Sequence, residues 1–170
     1  DGIDYEPGEC APDGAEEFAG VATGSYRIGE PDGIIGGELP TSGDWTITGV
    51  QIWLSAADVG PATVVPEESE IRVAGLIQFG TDGQLVIDVI GQTSVVATGG
   101  LALDRAFKVS GAGEIKNLDA DAGSFVLETV CPMEGRRALQ YTFSDGRLTT
   151  YTTFNDPIPG HIEITYEPVQ

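Results

Sequence analysis

Positive charge is scarce in this chain. Lysine and arginine together number 8 against 27 aspartates and glutamates, giving a formal net charge of -19 at pH 7. A surface of that sign repels phosphates, so non-specific binding to nucleic acid or to an anionic membrane is disfavoured. Histidine occurs once, at position 161, and there is no GxSxG, no phosphate-binding loop and no His/Cys metal spacing. Carboxylates are plentiful enough for a glycosidase-like pair, but nothing in the sequence singles out two of them, and a non-enzymatic protein is expected. No apolar run reaches the length of a transmembrane helix. Cysteines number only two, Cys10 and Cys131, without a CxxC pattern. A disulfide between them is the expected pairing, and in the chain-entropy model closing so long a loop contributes about 4 to 5 kcal/mol.

Helical signals are also lacking, and what replaces them is glycine, proline and β-branched residues. With 24 Gly and 10 Pro in 170 residues and no convincing amphipathic helical stretch, the chain reads as all-β. That length suits one core, burying roughly 70% of the unfolded surface. Residues 1–20 form an acidic N-terminal arm with seven acids in the first 17 positions, and residues 21–170 form a single β domain. The chain starts at Asp1 rather than Met, and export with removal of a leader is the expectation, placing the protein outside the cell or at its surface. The arm needs a holder, either the Cys10 bond or docking on a neighbouring copy.

Residues 71–90, IRVAGLIQFGTDGQLVIDVI, carry the clearest pattern. A three-residue Thr81-Asp82-Gly83 loop sets Phe79 opposite Leu85, Ile77 opposite Ile87 and Gly75 opposite Val89. Ile71, Val73, Ile77, Phe79, Leu85, Ile87 and Val89 then share one face, the floor of the core. A two-residue loop would place Ile77 against Asp88, so the hydrophobic pattern selects the longer one.

Residues 21–28 form a first strand and 29–43 a Gly/Pro loop. In 45–54, WTITGVQIWL, the alternation changes phase at Gly49. A bulge there keeps Trp45, Ile47, Val50, Ile52 and Leu54 on one face and turns Trp53 outward with Gln51. Residues 56–69 are long enough for a lid or an interaction loop. Residues 94–104 hold one or two short strands around Gly99-Gly100. Residues 106–118 read as a second hairpin turning at Gly111-Ala112-Gly113, which pairs Val109 with Ile115 and sets Lys108 beside Lys116 on the outward face, with Arg105 at the start of the same run. Asp119-Ala120-Asp121-Ala122-Gly123 lacks the ligand order of an EF-hand and reads as a turn, although clustered carboxylates leave calcium as a candidate ion. Residues 124–131 form a strand. Residues 137–154 are a hairpin about a two-residue Asp145-Gly146 loop, with Phe143 facing Leu148 and Tyr141 facing Thr150. In the last strand Ile162, Ile164 and Tyr166 point in, and His161, Glu163, Thr165 and Glu167 point out.

Sequential strands joined mostly by short turns describe an antiparallel meander of roughly eight to ten strands closing as an up-and-down barrel, with a β-sandwich as the alternative. Gly43-Asp44-Trp45 resembles the Gly-x-Trp signature of lipocalins, and YTFSDGRLTTY resembles the closing hairpins of bacterial lipocalin-like domains. The resemblance covers residues 42–167; the family's Thr-Asp-Tyr motif is absent, since Gly83 follows Thr81-Asp82. It implies a calycin-type barrel that holds a small apolar ligand. Trp53, Arg105, Lys108 and Lys116 are the candidate contacts with a ligand or partner. The other reading is a structural subunit of an extracellular filament or cell-surface assembly, in which Lys108 and Lys116 receive carboxylates from the same chain or from a neighbouring copy's arm.

Overall fold

The computed structural model describes residues 3–31, 33–59, 62–155 and 159–169, with backbone alone at 59. Asp1 and Gly2 at the head of the arm, and Pro61 in the loop after the second strand, lie outside them.

The chain is 65% strand and 6% helix. A single-turn helix, α1 (Ala15–Phe18), precedes β1 (Gly20–Ile28) and β2 (Gly43–Leu54); two short strands, β3 (Asp58–Val59) and β4 (Ala62–Thr63), form a separate ribbon. Then come β5 (Glu70–Phe79), β6 (Gln84–Ala97), β7 (Leu101–Asp119), β8 (Ser124–Cys131), β9 (Gly135–Ser144), β10 (Arg147–Phe154) and β11 (Gly160–Pro168). Nine strands close into a ring in the order β1-β2-β11-β10-β9-β8-β7-β6-β5. From β5 to β11 each strand pairs antiparallel with the next, as a meander requires. The departure is β1, which runs parallel to the end of β2 and antiparallel to β5. At the other end β2 pairs directly with β5. Small residues let β1 wedge in: a Cβ on Gly24 would sit 1.9 Å from the Val50 carbonyl oxygen.

The β5–β6 hairpin has the expected register, Phe79 to Leu85, Ile77 to Ile87 and Gly75 to Val89, and the seven residues of its inner face are all buried in one cluster. In β2 the bulge is present: Gly49 pairs with Thr165 and Ile47 with Tyr166, so Thr48 is the extra residue. Val50, Ile52 and Leu54 are buried as a result, and Trp53 is only half-buried on the outer face. The Asp145-Gly146 hairpin also pairs as read, Phe143 with Leu148 and Tyr141 with Thr150. Both loop residues have positive φ, 55° and 75°, which Asp and Gly tolerate.

One hairpin is not there. Gly111-Ala112-Gly113 is no turn but the middle of β7, a single strand from Leu101 to Asp119. Val109 pairs with Val89 and Ile115 with Leu127, so the chain turns instead at Gly99-Gly100, both with positive φ, and before Gly123. Gly111 and Gly113 lie opposite Ile87 and Leu85. Their missing side chains serve close packing: a Cβ on Gly113 would sit 2.0 Å from the Glu128 carbonyl oxygen. A Gly-x-Gly run fits a turn or a crowded strand equally well, and the partners on both sides of β7 decide. Lys108 and Lys116 therefore lie eight residues apart along one strand, about 26 Å at the usual rise, and do not face each other. Lys116 pairs with Glu114 at 3.0 Å, and that hydrogen bond raises its pKa.

The acidic arm docks on its own chain. Cys10 and Cys131 form a disulfide with Cα atoms 5.8 Å apart. Beside it the fully buried Asp88, on the outer face of β6, accepts hydrogen bonds from the Tyr5 hydroxyl and from the Gly8 amide at 3.0 Å. The Cys10 amide donates to the Ser110 hydroxyl at 3.2 Å. A carboxylate beneath the arm thus has donors supplied by the arm itself, which is how a charged group becomes tolerable there.

Candidate functional site

The two ends of the ring differ. At the β5–β6 turn end Trp45 stacks edge-on against Phe143, with centroids 5.7 Å apart, and against Phe79 at 6.4 Å. The segment before β2 crosses this end. The Tyr141 hydroxyl donates to the Gly37 carbonyl at 2.6 Å, the Phe143 amide donates to the Gly36 carbonyl at 2.7 Å, and Leu39 packs on the core. This end is plugged.

The opposite end is a mouth holding a cavity of about 290 Å³. Its walls are apolar: Ile52 and Leu54 from β2, Val95 from β6, Phe107 from β7, Phe154 from β10 and Ile162 from β11. Tyr26 supplies a polar point. Burial pushes its phenol up to about 12, partly offset by a hydrogen bond with Thr93. Residues 62–65 fold over the rim, where Val64 bridges to Ala97, the Val65 amide donates to the Val96 carbonyl at 2.7 Å and the Thr98 amide to the Thr63 carbonyl at 2.8 Å. The loop read as a lid or an interaction element is thus pinned at its far end to the rim, with Val64 in the cavity wall.

The wall of the ring is also incomplete on one side. The β7–β8 ladder ends at Ala112 with Cys131, and the β9–β10 ladder ends at Gln140 with Tyr151. Above those points β7 pairs with β6 alone, leaving a window beside the β8–β9 turn. A chamber of about 270 Å³ lies there, lined by Ile87, Val109, Leu127, Met133 and Arg137 among others. A smaller void of about 70 Å³ shares Ile87, Val109 and Arg137 with it, and Phe107 and Ile162 with the mouth cavity. The three lie in succession along β7, at Phe107 and Val109.

Among the candidate contacts, Arg105 lies opposite Thr93 and lines the mouth cavity, where it already engages another group of the chain. Lys108 is exposed. Trp53 is on the outer surface between Arg27, whose guanidinium carbon is 5.7 Å from the ring centroid, and His161. Trp53, Arg105, Lys108 and Lys116 therefore do not form one site. Tyr26, Phe107 and Arg137 were missed by sequence reasoning. Phe107 was within reach of it, because Leu101, Leu103, Arg105, Phe107 and Val109 alternate along one strand face. Arg137 required the β8–β9 register, which sets it opposite the buried Leu127. Among the described residues no group of three or more His, Cys, Asp or Glu is placed to hold a metal ion, and no helix is long and apolar enough to cross a membrane. Comparison with known protein families, with curated proteins and with solved structures returns no match for this chain.

Proposed function

We propose that the protein is an exported, non-enzymatic binding protein that holds a small apolar ligand in the mouth of a lipocalin-like barrel. The observation that carries this reading is the mouth cavity itself: about 290 Å³ of apolar-walled space at the open end of a ring whose other end is plugged. Pockets for small molecules start near this size and combine apolar walls with a few polar points, here Tyr26, Thr93 and Arg105. The disulfide agrees with an oxidising compartment. An assembly subunit using its arm on a neighbouring copy has less support, because the arm is seated on its own chain.

The test is titration with an environment-sensitive apolar dye, followed by the same titration on Leu103→Trp. Leu103 lines the cavity yet is 39% exposed, so a larger side chain there fills space without disturbing the core. Saturable binding that weakens about tenfold in the variant, at unchanged melting temperature, is expected. Absence of saturable binding, or equal binding by both proteins, would overturn the reading.

A further inference from the structure

We infer that two copies of this chain associate through the free edge of β7, residues 101–111 of each pairing antiparallel about a two-fold axis at Ala106. This goes beyond the binding reading above and does not depend on it.

The edge is open. Residues 101–111 pair with β6 and, among the described residues, with no other strand, because the β7–β8 ladder stops at Ala112. Backbone groups on the far side of such a strand are a template for one more strand. Side chains of both faces are uncovered from Leu101 to Ala106, and Leu101 is 61% exposed.

Charge selects the occupant and its register. In a two-fold antiparallel pair one residue faces its own copy, and the others pair symmetrically about it. With Ala106 on the axis, Asp104 of each copy lies opposite Lys108 of the other, on the outer face. Neither Asp104 nor Lys108 makes an ion pair among the described residues, and at about 13 Å apart along one strand the two do not reach each other. An axis at Arg105 would set two guanidinium groups face to face, and one at Phe107 would set Asp104 opposite Ser110 and Lys108 opposite Ala106. A lysine on an edge ordinarily guards it against pairing. Here the aspartate four residues earlier turns it into a point of recognition.

The inner face agrees with the same register. Leu103 of the second copy lies opposite Val109, and its Leu101 opposite Gly111, which has no side chain. Val109 and Gly111 both line the window chamber of about 270 Å³. Leucines exposed in a single copy thus gain apolar cover from the other. Arg105, already engaged within its own chain, falls opposite Phe107, so no like charges meet.

The experiment is sedimentation equilibrium of the intact, oxidised protein in about 0.15 M salt, where a Debye length of about 8 Å screens most of the repulsion between two acidic copies. A dimer is expected. Lys108→Glu and Asp104→Lys change the net charge in opposite directions, yet each sets two like-charge pairs across the axis, and each should weaken the dimer about tenfold or more. Combining Asp104→Lys with Lys108→Asp should restore it. Ala106→Cys should cross-link two copies on oxidation, in preference to Lys116→Cys on the same strand. Circular dichroism of the charge variants should match the parent, since both side chains are exposed. A parent that stays monomeric, single variants that associate as the parent does, or an exchanged pair that stays apart would each overturn the proposal.

Discussion

Trp53 on β2 and His161 on β11 lie directly opposite each other on the outer face, and the Trp53 Nε1 and the His161 Nδ1 are both buried without a hydrogen-bond partner among the described residues. A buried polar atom left unpaired costs about 1–3 kcal/mol. Trp53→Phe and His161→Phe, each keeping a flat apolar ring and deleting the nitrogen, are therefore expected to leave stability unchanged or to raise it. Urea unfolding decides: a loss above about 1 kcal/mol in either variant would mean that the nitrogen is satisfied. Loss of part of the Arg27 contact with the Trp53 ring works against the gain by about 0.5–1 kcal/mol.

Thr48 is the extra residue of the bulge, and it absorbs the change of phase between Ile47 and Val50. Deleting Thr48 would leave Ile47, Val50, Ile52 and Leu54 in regular alternation on the inner face, with Gln51 and Trp53 still outside. The deletion variant is expected to keep cooperative unfolding and near-ultraviolet dichroism, and Thr48→Ala, at an exposed position, should change stability by less than about 0.5 kcal/mol. Loss of cooperative unfolding in the deletion variant would show that the bulge does more than set the phase.

The arm is held at two places, the Cys10–Cys131 bond and Asp88. Asp88→Ala leaves the Tyr5 hydroxyl and the Gly8 amide without their acceptor and is expected to destabilise by about 1–3 kcal/mol; Tyr5→Phe should cost about 1 kcal/mol. With the disulfide present the arm stays attached in both. Reducing the disulfide in Asp88→Ala should free it, seen as rapid proteolysis within residues 3–18 while the strands remain protected. Slow cleavage there would mean that the remaining contacts suffice.

Stability should fall in alkali. The Tyr26 phenol ionises near pH 12 in the folded protein, raised by burial, and near pH 10 when unfolded. Its contribution is complete below about pH 10 and is lost as pH rises towards 12, because only the unfolded chain releases the proton in that window. Burial shifts Tyr5, Tyr141 and Tyr166 in the same direction. Urea midpoints measured across this range should decline, and more shallowly in Tyr26→Phe; an identical slope in the variant would remove Tyr26 from the account.

Sequence by itself determined the elements whose signals are local. Side-chain alternation and turn chemistry are written into consecutive residues, so the registers at Thr81-Asp82-Gly83 and Asp145-Gly146, the need for a bulge in β2 and the inward face of β11 were all legible, while the bulge read at Gly49 falls on its neighbour Thr48. The pairing of Cys10 with Cys131 followed from there being two cysteines. Tertiary structure decided what depends on neighbours distant in the chain. Gly111-Ala112-Gly113 became mid-strand because β6 and β8 flank it, a choice that its own residues leave open. The arm found its seat through Asp88, whose burial on an outer face no alternation predicts. The window chamber is space that side chains do not fill, set by where the β7–β8 and β9–β10 ladders stop, and Arg137 comes to line it only by lying opposite Leu127.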